Sequence, residues 1–197
     1  MAVIFAPDPG VLGLYTIGVT TGSIAATLAA SSPLFSFRWG STTRLGVPDF
    51  ISVGVSVNAV ITTSVSMPLE LFVARSFTAS DTGGTTVTLT GSNNKYRTSF
   101  DTSLVTDARI ATTGTLTAGT RTLDSQAVAM IPCVTGTAIG VPLTMTTIYS
   151  RSSLFPIVLV QDEGLIIRNQ SAGPATGTFT VHVQMRWFET TSELVVI

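Results

Sequence analysis

Between Thr178 and Trp187 the chain reads TFTVHVQMRW. Phe179, Val181, Val183, Met185 and Trp187 are apolar, and the residues between them, Thr178, Thr180, His182, Gln184 and Arg186, are polar. A helix brings side chains back to one face every three to four residues and an extended chain every two, so this stretch predicts a β-strand with one face in a core. A second alternation runs from Ile51 to Thr63. It sets Ile51, Val53, Val55, Val57, Ala59 and Ile61 against Ser52, Gly54, Ser56, Asn58, Val60 and Thr62. The polar side of that strand carries no charge, which predicts a cover from the N-terminal segment, a loop or a partner.

The apolar run Leu165 to Ile167 and the connection QSAGPATG (Gln170 to Gly177) make Gly164 to Glu189 read as a long hairpin. Further strands are predicted at Phe35 to Trp39, Leu69 to Phe77, Ala127 to Val134, Leu143 to Tyr149 and Ile157 to Val160. Val105 to Thr112 reads as a strand or a brief helical turn. TVTLTGS (Thr86 to Ser92) is loosely echoed by TGTLTAG (Thr113 to Gly119), too weakly for a repeat architecture. No segment carries an amphipathic helical period. The expected fold is all-β: an antiparallel β sandwich, jelly-roll-like, with an extended N-terminal arm.

Chain length and charge shape the rest. The 197 residues suffice for one sizeable core, and the expected organisation is an arm over residues 1–34 and a single sandwich domain over 35–197. Charged residues are 11% of the chain, against roughly 25% in an ordinary soluble domain, and mean hydropathy is +0.50. So little charge predicts that other chains cover part of the surface, where Thr, Ser and Gly desolvate cheaply. The N-terminal MAVIFAPDPG has no basic region ahead of a compact apolar stretch, and Thr, Ser and Gly dilute the run from Val11 to Ala30, so neither a signal peptide nor a membrane anchor is expected. Residues 1–34 instead read as an arm lying on a neighbouring subunit.

Little of the sequence points to catalysis. The net charge is −1 and the basic residues are scattered, so no direct nucleic-acid partner is expected. Cys133 is the only cysteine and reads as a small buried hydrophobe. Asp81, Thr82 and Gly83 spell the triplet of aspartic proteases, but within ASDTGGTT they read as a polar turn. His182, the only histidine, stands on the polar face of a regular strand and reads as a surface or interface residue. Asp162 and Glu163 in VQDEGL raise glycoside hydrolysis and calcium binding; neighbouring side chains of an extended segment diverge, and a solvated turn is expected. Arg75, Arg97, Arg109 and Arg121, together with Asp81, Asp101, Asp107 and Asp124, are expected to form structural ion pairs. Tyr96, Trp39 and Trp187 would suit a sugar platform, though core packing is the commoner fate of such rings. No catalytic, metal or cofactor residues are expected, and an enzyme is not.

Three stretches, LFVARSFTASDTGGTTVTLTGSNNKYRTSF (Leu71 to Phe100), TGTLTAGTRTLDSQAVA (Thr113 to Ala129) and FPIVLVQDEGLIIRNQSAGPATGTFTVHVQMRWFE (Phe155 to Glu189), resemble a group of tailed-bacteriophage virion proteins. The resemblance covers a little under half of the chain and includes no catalytic signature. It implies a non-enzymatic virion protein, a decoration or cement subunit of the capsid that reinforces the shell through contacts with the major capsid protein or other virion proteins. With the assembly-like composition, it points to a homo-oligomer, a trimer favoured. The alternative is a carbohydrate- or receptor-binding fibre or tail module whose contact surface is the Ser80 to Ser103 loops, with Asn94 and Tyr96. A small-RNA-virus coat protein is disfavoured because no basic arm precedes Phe37.

Overall fold

A computed structural model describes residues 11–89, 94–136, 139, 144–151 and 156–191. These residues form two antiparallel sheets packed face to face. The strands are β1 (Val11–Thr20), β2 (Ile24–Ala25), β3 (Pro33–Trp39), β4 (Leu45–Ala59), β5 (Leu69–Arg75), β6 (Thr85–Thr86), β7 (Val105–Ile110), β8 (Thr122–Leu123), β9 (Ala129–Ile131), β10 (Thr146–Ser150), β11 (Glu163–Asn169) and β12 (Thr178–Thr190). The first sheet has the order β1-β12-β4-β10, with β2 continuing the line of β1 along β12. The second has the order β6-β7-β3-β11-β5-β8, with β9 also on β5.

The pairing is nested. β1 lies on β12, β3 on β11, β4 on β10, and β5 on β8 and β9. The chain is therefore one long antiparallel ribbon, and rolling it up sets β12 against β4 and β11 against β5. That is a jelly roll, the double-sheet solution to unpaired sheet edges.

β12 sits in the middle of the first sheet. Its inward residues Phe179, Val181, Val183, Met185 and Trp187 are buried, as are Ile51, Val53, Val55 and Val57 of β4. The second sheet answers with Phe35, Phe37, Leu69, Leu71, Val73, Leu165 and Ile167. Tyr15 stacks on Trp187 at 5.6 Å, and Phe37 meets the same indole edge-on at 5.2 Å. A smaller cluster of Phe72, Ala74, Phe77 and Ile166 lies on the outer face of the second sheet, where Leu123 and Ala127 pack on it.

Two expectations are corrected. Gly164 to Glu189 is not a hairpin: β11 and β12 belong to different sheets, and QSAGPATG is a corner between them. Buried Asn169 holds that corner by accepting from the Ser32 amide at 2.9 Å and donating to the Ala29 and Ser171 carbonyls at 2.8 and 2.7 Å. Gly177 completes it at φ +76°, where a Cβ would lie 2.4 Å from the Val60 carbonyl oxygen.

The boundary between arm and body at residue 34 also fails. Residues 11–34 are the first part of the sandwich: β1 runs along β12 from Val11 opposite Thr190 to Thr20 opposite His182, and Tyr15, Ile17, Ile24, Leu28 and Leu34 are buried in the chain's own core. Apolar residues alternating with Thr and Gly were a strand pattern, and the missing charge made it resemble a tail. Residues 1–10 of the expected arm lie outside the described residues. Smaller differences are that Val105 to Ile110 is a strand, the Ile51 strand begins at Leu45, and Ile157 to Val160 supplies only a bridge from Leu159 to Gly46.

Because Tyr15 is a core residue, Tyr15→Ala should cost about 3–5 kcal/mol in urea unfolding, and Tyr15→Phe, which loses only the bond to the Asp101 carbonyl, about 1 kcal/mol. A near-neutral Tyr15→Ala would return this segment to the status of a detachable arm.

Candidate interaction surface

No Asp, Glu, Lys or Arg occurs in residues 9–37, 51–69, 125–150 or 169–185. The roll brings the described parts of these stretches together: β1, β2, most of β4, β10 and the first half of β12. The outer face of the first sheet is therefore uncharged over most of its length. Facing outward are Thr16, Gly18 and Thr20 of β1, Thr180, His182 and Gln184 of β12, and Ser52, Gly54, Ser56 and Asn58 of β4; Gly18, Thr20, Gln184 and Asn58 are exposed, Thr16, His182 and Ser56 half-buried, and Thr180, Ser52 and Gly54 buried.

His182 ties the three strands together. Its Nδ1 lies 3.1 Å from Thr20 Oγ1 and its Nε2 2.8 Å from Ser56 Oγ, while Asn58 donates to Thr180 one rung away. Hydroxyls occupy both ring nitrogens and no carboxylate takes part, so the imidazole acts as a cross-strand brace. At Gly18, nothing lies within 4 Å of where a Cβ would stand.

Charge begins at one end of this face, at a bulge. The β4–β12 register shifts between Arg186 and Trp187, and Asp49 is the extra residue. Asp49 accepts from Arg186 Nε at 2.5 Å and from Arg151 Nε at 3.2 Å. The Arg151 guanidinium lies 4.7 Å from the Phe188 ring centroid and that of Arg186 5.9 Å from Phe50. Nearby, Glu189 points inward at the end of β12 and is fully buried. Its Oε1 accepts from Ser103 Oγ at 2.8 Å and the Leu104 amide at 2.9 Å, and Arg44 stands 3.4 Å from Oε2. Burial raises the Glu189 carboxyl above its ordinary range, against the lowering pull of those donors and Arg44. Burial, with the Glu189 charge adding to it, pushes the Tyr15 phenol up to about 12.

The remaining candidates have structural roles. Asp81 is buried and bidentate with Arg121, Nε to Oδ1 at 2.8 Å and a terminal nitrogen to Oδ2 at 2.9 Å; the Gly119 amide also donates to it, and Arg121 lies over Phe77. The Asp-Thr-Gly triplet is thus a clamp between two loops, and Thr82 bridges Thr117. Asp162, at φ +59°, accepts from Arg38 at 3.4 Å, and Glu163 takes Arg75 and the Val160 amide. Arg75 also reaches Asp124, Arg109 pairs with Asp107, Asp101 goes to Arg44, and Arg97 lies over Phe100. Cys133 is buried, which pushes its thiol up to about 11. Trp39 and Trp187 are core residues, leaving Tyr96 alone of the three aromatics at the surface.

Among the described residues no group of three or more His, Cys, Asp or Glu could hold a metal ion, and no helix is long and apolar enough to cross a membrane. Sequence reasoning missed Asp49 and Arg151. The one signal was the loss of alternation at Pro48-Asp49, ahead of the clean run from Ile51.

Compared with family models, characterised proteins and solved structures, the chain matches none.

Removing the Asp81 carboxylate strands a buried guanidinium, so Asp81→Ala should cost about 3–5 kcal/mol of unfolding free energy; a loss no larger than that of a surface pair would contradict the clamp. For Glu189 the sign follows from its raised folded-state pKa. Its stabilising contribution is complete below the ordinary carboxylate range and declines as pH rises through the raised value. The stability of Glu189→Gln relative to the native chain should therefore increase from acid to neutral pH in paired denaturation series, and the opposite slope would contradict the assignment.

Proposed function

We propose that this chain is a non-enzymatic structural protein of a virus particle, a capsid decoration or cement subunit that self-associates, a trimer favoured, and seats on the major capsid protein or other virion proteins. The observation that carries the reading is the uncharged outer face of the first sheet, built from β1, β4 and β12 and free of Lys, Arg, Asp and Glu from Ser52 to Asn58 and from Thr178 to Met185. A sheet face that meets only water ordinarily carries charge to prevent association. Hydroxyls and glycines at these positions cost little to desolvate and let another backbone approach closely.

Reinforcement needs no chemistry. Each subunit that buries such a face across a junction adds its binding free energy to the cost of separating capsomers. Further support comes from the jelly-roll topology, which recurs in capsid domains as well as in lectins and cupins, and from the resemblance of three stretches to virion proteins. The alternative, a carbohydrate- or receptor-binding module, keeps Tyr96 from its proposed platform, while Asn94 is buried.

The test uses Gly18→Glu. Open space at the Cβ position lets the variant fold, and it places a charge on the face. Light scattering should find the native chain as a symmetric oligomer and Gly18→Glu as a monomer with an unchanged melting profile, and binding to capsids purified without the protein should fall in parallel. A native chain that stays monomeric at high concentration and leaves such capsids unoccupied would overturn the proposal.

A further inference from the structure

The end of the uncharged face is cationic, and its chemistry is selective. Two guanidinium groups, Arg151 and Arg186, share the single carboxylate of bulged Asp49, and both engage it through Nε. Elsewhere Arg121 has Asp81 to itself, Arg44 has both Asp101 and Glu189, and Arg75 has both Asp124 and Glu163. Among the described residues the Asp49 cluster alone sets two cations against one anion. Phe188 and Phe50 lie against the two guanidinium groups, and both arginine side chains keep nearly two-fifths of their surface open to solvent. Half-exposed Tyr96, with Asp49, helps to hold the Arg186 guanidinium charged. Its chain neighbours Lys95 and Arg97 have no carboxylate partner among the described residues.

We propose that the Arg151–Asp49–Arg186 cluster is a receptor for a carboxylate presented by an acidic segment of a partner protein. Planar guanidinium groups steadied by aromatic rings match a planar carboxylate, and a carboxylate is the group they already hold. A nucleic-acid backbone fits poorly. It places a charge about every 1.7 Å along a duplex, whereas the face beyond Arg186 is uncharged as far as Thr178. An anion at one point is matched; a continuous polyanion would run off the cluster onto hydroxyls. Asp49 holds the two arginines in position in the absence of the partner and competes with it for them.

The test is fluorescence anisotropy of a labelled octaglutamate peptide with the full chain at low ionic strength. The native chain should bind saturably. The double variant Arg151→Gln with Arg186→Gln should weaken binding by at least about tenfold, and Arg75→Gln on the other sheet should leave it unchanged. Asp49→Asn, which removes the internal competitor, should tighten binding. Thermal melts screen the variants for folding, and the opposite signs expected for the arginine and aspartate changes separate lost recognition from general damage. Absence of saturable binding, equal binding by the double variant, weaker binding by a folded Asp49→Asn, or tighter binding of a single-stranded oligonucleotide of equal charge would each overturn the proposal. Because the peptide is read on the isolated chain, these outcomes are independent of oligomeric state and of occupancy on capsids.

Discussion

The structure depends on the pairing of β12 with both of its neighbours. Along one edge it pairs with β4 from Thr178 to Thr190, and along the other it pairs with β2 and then β1. A strand hydrogen-bonded on both sides has its register fixed twice, and a slip of one residue would turn Phe179, Val181, Val183, Met185 and Trp187 out of the core together. The second sheet packs on that face, so the positions of Phe37, Leu71 and Leu165 follow from it. Hydrophobic burial drives the assembly, and the ladder dictates which side chains are buried.

A charge-poor sequence folded in this way distributes its few charges unevenly. Ion pairs gather on the second sheet and its loops and at one end of the first; Arg121 to Asp81 and Arg38 to Asp162 pin loops, and Arg168 meets Glu70 directly across β11 and β5. Among the described residues arginine is the cation in every pair, consistent with its ability to hold a carboxylate in a fixed plane when partly buried. The face left over is braced by hydroxyls around His182, which gives it order without charge. Order without charge is what the proposed association would use.

Much of this was legible in the sequence because period-two alternation reports on one residue and its neighbours. Phe179 to Trp187 and Ile51 to Val57 gave strand, face and burial directly. The polar turn at Asp81 was readable from its glycines. Alternation does not encode which sheet a strand joins, so β11 and β12, adjacent in sequence and both facing the core, looked like a hairpin although a corner separates them. The same limit hid β1, whose partner lies at the far end of the chain. The bulge at Asp49 inverts the parity of every residue before it, and the pairing of Asp49 with Arg186 spans 137 positions. Such contacts are set by the roll, and no local pattern carries them.

The place of β12 between β1 and β4 constrains the order of events during synthesis. The first strand leaves the ribosome long before its partner, and β4 emerges with one edge waiting for the same C-terminal segment. The first sheet cannot close until residues 178–190 have emerged. Until then the nascent polypeptide displays two unpaired β edges whose one charge is Asp49, the state in which β-rich chains are most exposed to mispairing. The interval between the emergence of β4 and of β12 is therefore the one in which this chain is most open to mispairing.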